Sequence, residues 1–78
     1  MNLDPNCGPN VVGRKVAKLR YQRAWTQDML VARLQVRGCD ITRDILANIE
    51  TRRSVATDKH VFFLAEVFGV EIAELFRP

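Results

Sequence analysis

The residues from Arg43 to Thr51 bring several different kinds of hydrogen-bonding group together on one short stretch. Arg43, Asp44, Asn48 and Thr51 bring a cation, an anion, an amide and a hydroxyl close together, with the small Ala47 among them. On a helix turning ~100° per residue they cover the sector from about 0° to 140° counted from Arg43, whereas Leu46, Ile49 and Ile45 fall at about 300°, 240° and 200°. One side is apolar and the other is polar but nearly uncharged. The polar side lacks the Glu and Lys pairs that usually stabilise an exposed helix face, so its composition suits recognition of a partner. Catalysis is disfavoured. His60 is the sole histidine and has no second ligand at i+4 and no carboxylate at base-like spacing, so it reads as a polar residue in the first turn of a helix. Cys7 and Cys39 fit neither a disulfide framework nor a metal spacing and are expected to be free thiols. No combination of nucleophile, base and orienting group emerges, and the expectation is a non-enzyme without metal or cofactor.

The partner is indicated first by charge. The net charge of +3 is unevenly spread. Residues 14–53 carry Arg14, Lys15, Lys18, Arg20, Arg23, Arg33, Arg37, Arg43, Arg52 and Arg53 against four acids, while residues 54–78 hold two bases and four acids. A basic middle segment of this kind can follow a phosphate backbone and release its counterions. Charge alone is equally compatible with a solvated basic surface that has no partner. With 78 residues, 47% hydrophobic and 27% charged, the chain is sized for one small domain with little room for an active-site cleft. No apolar run approaches the ~18 residues of a membrane span, and the N-terminus lacks the succession of a signal peptide. A soluble cytoplasmic protein is the expectation.

The elements that must hold the polar face follow from periodicity. Residues 1–10, rich in Asn, Pro and Gly, read as a flexible N-terminal arm, and residues 11–78 as the folded domain. Val12, Val16 and Leu19 give a first helix from about Val11 to Tyr21. Thr26 caps a second, with Trp25 placed to staple against Leu30 and a core face of Leu30, Val31 and Leu34. Residues 35–40 break the pattern, with Gly38 offering a positive φ and Asp40 a turn. Ile41 and Thr42 repeat the staple and cap, Ile41 facing Leu46, and start a third helix from Arg43 to about Thr51. Thr57 and Asp58 open a fourth, with Val61, Leu64, Ala65 and Phe68 as its core stripe and Gly69 as its C-terminal cap. Ile72, Ala73, Leu75 and Phe76 form a short fifth.

The order of blocks Val16-x-x-Leu19-Arg20, Thr26-Gln27-Asp28-x-Leu30-Val31-x-x-Leu34, Ile41-Thr42-Arg43-x-x-Leu46-x-x-Ile49-Glu50 and Thr57-Asp58-x-x-Val61-x-x-Leu64-Ala65-x-x-Phe68-Gly69-Val70 resembles the lambda-repressor-like helix-turn-helix transcription regulators over residues 11–76. The resemblance implies an all-α, compact five-helix domain that lays its third helix in the DNA major groove. It implies that Thr42, Arg43, Asp44, Ala47 and Asn48 face base edges. It also implies that Gln27, Thr51 and Arg53 hold phosphates, and that Arg20 and Glu50 form a structural ion pair. The chemistry suits these roles, because Arg grips guanine, Asn grips adenine, Asp accepts from cytosine and Ala touches a thymine methyl. Asp44 is equally at home as a dipole-complementing residue of the first turn.

Four departures stand out. The helix-turn-helix turn is lengthened by about five residues, and Arg37 within it is placed to reach a phosphate. Arg52 stands where Gly is common, Val31 stands where Ala is common, and Phe63 takes a usually polar position about 200° from Val61. An exposed Phe63, with Ile72, Leu75 and Phe76, suggests a homodimer interface. The expected function is a sequence-specific regulator of transcription, a dimeric repressor on double-stranded DNA with no membrane partner and no evident small-molecule effector. The alternative is an antitoxin-like or adaptor module that uses Phe62, Phe63 and the apolar C-terminal end for a protein partner.

Overall fold

Three threonines punctuate the chain. Thr26, Thr42 and Thr57 each hold an extended backbone, and each hydroxyl oxygen accepts from the amide three residues on: Met29 at 3.1 Å, Ile45 at 3.2 Å and His60 at 3.2 Å. Each cap satisfies one of the amides that a helix start leaves without an intrahelical partner, a contribution of ~1 kcal/mol. The computed structural model describes residues 11–51 and 54–77, which form five helices with no strand. They are α1 (Val11–Gln22), α2 (Gln27–Val36), α3 (Arg43–Glu50), α4 (Asp58–Phe68) and α5 (Ile72–Leu75). The expected arm at residues 1–10 lies outside the described residues. Among the described residues no helix is long and apolar enough to cross a membrane.

α1 packs on α3, α4 and α5, and α2 packs on α3 and α4. The apolar stripes read from the sequence are the ones buried: Val12 and Val16, Leu30 and Leu34, Leu46 and Ile49, and Leu64 and Phe68 meet in one core, closed below by Leu75. Ile45, expected on the apolar side of α3, lies at the edge of that stripe and is 37% exposed. α1 crosses α3 at Gly13. A β-carbon there would overlap the Ile49 carbonyl oxygen and lie 3.0 Å from its carbonyl carbon, so hydrogen is the only substituent that fits this close approach.

The turn between α2 and α3 is a packed structure. Gly38 takes the anticipated positive φ of 95°. The amides of Gly38 and Cys39 donate back to Gln35 and Leu34, and the Gln35 side chain donates to the Ile41 carbonyl at 3.0 Å. Cys39 and Ile41 are buried in the core. Cys39 is therefore a packing residue, and burial pushes its thiol above the ordinary range.

The turn between α1 and α2 carries strain that no sequence signal announced. Ala24 has φ 57°, a left-handed conformation that costs a residue with a β-carbon ~1 kcal/mol or more. Trp25, after it, packs against the core. Its ring stacks on Phe68 of α4 at 5.7 Å between centroids and lies 4.3 Å beneath the Arg33 guanidinium. Arg23 closes the other side, over the Phe68 ring at 5.1 Å and donating to the Phe68 carbonyl at 2.6 Å. Lys15 of α1 reaches Glu74 at 3.1 Å and ties down α5, and the hydrogen bond from Lys15 holds the Glu74 carboxyl below its usual range.

Candidate nucleic-acid interface

α3 displays its polar side. Thr42, Arg43, Asp44 and Asn48 are exposed and Ala47 is half-buried, while Leu46 and Ile49 on the reverse are sealed in the core. The segregation expected from the helical wheel is present, and the side chains of Arg43, Asp44 and Asn48 face solvent. Thr42 contributes its hydroxyl oxygen to the cap. Thr51 ends the helix and donates from its hydroxyl to the Ala47 carbonyl at 2.8 Å, which leaves lone pairs but no proton for a phosphate. Asn48 presents its side chain while its carbonyl accepts the Ser54 amide at 3.2 Å.

Behind this face lies a buried polar knot. Arg20 of α1 holds Glu50 with two parallel bonds, Nε to Oε2 at 2.8 Å and a terminal nitrogen to Oε1 at 2.9 Å. Both side chains are less than a tenth exposed. The third arm of the guanidinium donates to the Trp25 carbonyl at 2.9 Å. The hydrogen bond to Glu50 is foremost in keeping Arg20 above its already high pKa, against the opposing effect of burial. Gln27, the first residue of α2, donates from its amide nitrogen to Glu50 Oε1 at 3.2 Å. The carboxylate thus fastens the end of α3 to α1 and sets the Gln27 side chain beside it, and one amide hydrogen of Gln27 remains for an anion at the α2 N-terminus.

Other expected site residues fall elsewhere. Arg37 is drawn to α4, where it meets Glu66 at 3.4 Å, and the structure does not bring it to Gln27. Arg53, with Arg52, lies outside the described residues. Of the apolar residues expected at a dimer surface, Leu75 is fully buried in this protein's own core and is therefore unavailable to a partner. Phe63 is half-buried against that core, edge-on to Phe62 at 5.4 Å, and Phe62 is the ring that stands out, 50% exposed. The wheel placed Phe63 opposite the stripe of α4 without counting the neighbours that cover that flank. Ile72 and Phe76 are exposed, and with Asp58 and Val61 they line a shallow groove of about 230 Å³.

Sequence reasoning passed over Asp28. Its carboxylate Oδ1 lies 3.7 Å from Arg43 Nε, bridging the N-terminal turns of α2 and α3. No local signal in the sequence announced it, because the contact depends on how α2 and α3 are placed relative to each other. Among the described residues no group of three or more His, Cys, Asp or Glu is placed to hold a metal. Compared with protein-family models, with curated proteins and with solved structures, the chain matches none.

Proposed function

We propose that the protein is a sequence-specific double-stranded DNA-binding regulator of lambda-repressor-like architecture, reading the major groove with α3. The observation that carries this reading is the exposed polar face of α3, backed by a sealed apolar side and flanked by Gln27. Arg43 and Asn48 are suited to bidentate contacts with guanine and adenine, and Gln27 to a flanking phosphate, whereas the Thr51 hydroxyl proton is already committed to the Ala47 carbonyl. Regulation would be by occupancy of an operator, as a dimer whose contacts include Ile72 and Phe76 with Phe62 at the margin. The test is binding to duplex DNA across a salt series. The logarithm of affinity should fall linearly with the logarithm of salt at about −0.9 per neutralised phosphate, and absence of binding at low salt would refute the reading. The groove formed by Val61, Ile72 and Phe76 favours, as second reading, an adaptor that docks a protein partner and has no need of DNA.

A further inference from the structure

We infer that Asp28 is a positioning residue that sets the base specificity of Arg43, an assignment that rests on the DNA-reading function proposed for α3. The two side chains are 72% and 64% exposed and 3.7 Å apart, too open to add appreciably to stability. The contrast with Arg20 and Glu50, buried and bonded at 2.8 Å, separates a structural ion pair from one placed at the surface that would meet a ligand.

The atom that Asp28 approaches decides its effect. A guanidinium carries five N–H donors in a planar fork. Asp28 faces Nε, so the two terminal nitrogens remain available together, and an end-on pair of N–H groups matches guanine O6 and N7. An unrestrained arginine must freeze several torsions to make that contact, whereas one already leaning on a carboxylate loses less freedom. The carboxylate also has a repulsive effect. It sits one residue after Gln27, in the first turn of a helix proposed to approach phosphates, and lowers affinity for DNA of any sequence. Asp28 therefore exchanges general affinity for discrimination, a combination that a merely structural residue would not produce.

The experiment uses the full chain and a duplex selected from a random pool by the wild-type protein. Dissociation constants are measured for that duplex, for the same duplex with the Arg43-contacted G·C pair replaced by A·T, and for a random duplex. They are compared among wild type, Asp28→Ala, Arg43→Ala and the double variant. Wild type should prefer G·C about 5- to 150-fold, the range of one bidentate contact. Asp28→Ala should bind random duplex more tightly while its G·C preference falls about threefold or more, and in the Arg43→Ala background the same change should leave the preference untouched. An unchanged preference in Asp28→Ala would overturn the assignment and leave the DNA function standing. So would a loss that persists without Arg43, since Asp28 would then be reading a base itself. Failure of the wild type to bind any duplex at low salt would remove both.

Discussion

Replacing Gly13 with alanine probes the contact on which the placement of the candidate recognition helix depends. The added β-carbon would overlap the Ile49 carbonyl oxygen, with the Ile49 carbonyl carbon at 3.0 Å and Glu50 Cα at 3.5 Å. All three are backbone atoms and cannot rotate aside, so α1 and α3 must separate. Overpacking of this kind costs ~1–3 kcal/mol, and a rigid obstacle places it toward the upper end. Against this stands the helix preference for Ala over Gly, at most ~1 kcal/mol. The net expectation is a loss of about 2 kcal/mol, or a fall in Tm of about 8–16 °C for a domain of this size. Thermal unfolding followed by far-ultraviolet circular dichroism and by fluorescence of Trp25, the single tryptophan, measures it. The two effects have opposite signs, which makes the outcome decisive. A Tm equal to or above that of the parent would mean that nothing crowds Gly13, and the described crossing of α1 and α3 would be wrong.

Three further outcomes are expected. Glu50→Ala strands a buried guanidinium and should cost ~3–5 kcal/mol in urea unfolding; a loss under ~1 kcal/mol would show the knot to be dispensable. Ala24→Gly relieves a φ of 57° and should be neutral to stabilising by up to ~1 kcal/mol, the chain's greater freedom when unfolded offsetting part of the gain; a drop in Tm would contradict the strain. His60 is held below its ordinary value of 6.5, first by desolvation and then by Lys59. Its folded state therefore resists protonation. Stability is unaffected above that value, declines as pH falls through it because the unfolded chain takes up the proton first, and levels off below the depressed folded value. His60→Asn should flatten that part of the Tm profile, and an identical profile in the variant would refute the assignment.

What the sequence announced was what depends on local chemistry. Thr26, Thr42 and Thr57 mark helix starts because a hydroxyl in that place satisfies an amide whatever lies further away. Gly38 and Gly69 mark left-handed positions for an equally local reason, and both adopt positive φ. What escaped was set by distant neighbours. Nothing near Gly13 distinguishes it from any glycine early in a helix until α3 is laid across it. Phe63, placed by a wheel, and Leu75, read as an apolar residue of a short end helix, are expected at a surface because neither reading includes the packing between helices that covers them. The sequence reads Cys39 as a free thiol and carries no sign of its burial, because the loop folds inward and uses it to fill the core. Of the candidate site, the face of α3 and the pairing of Arg20 with Glu50 were legible. The engagement of Arg37 with Glu66 and of Arg43 with Asp28 was not, since each joins residues on elements whose relative placement only the tertiary fold determines.

α3 has eight residues, fewer than the ~12–15 at which an isolated helix becomes even marginal in water. Its order is therefore imposed from outside, and each support is identifiable. Thr42 and the buried Ile41 fix its start, Leu46 and Ile49 are held in the core, and Glu50 is clamped by Arg20 at its end, above the close crossing at Gly13. All of these act on the apolar side or at the termini. The outward residues Asp44, Ala47 and Asn48 contribute little to holding the helix, so they are free to change without loss of the fold. A helix secured entirely from behind in this way can carry different hydrogen-bonding groups in front, which is the physical requirement for one scaffold to read different sequences. Exchanging Asn48 for Gln or Ser should accordingly leave unfolding within ~0.5 kcal/mol of the parent while changing the preferred base at one position of the selected DNA. A loss of stability comparable to that of Glu50→Ala would place Asn48 among the supports instead.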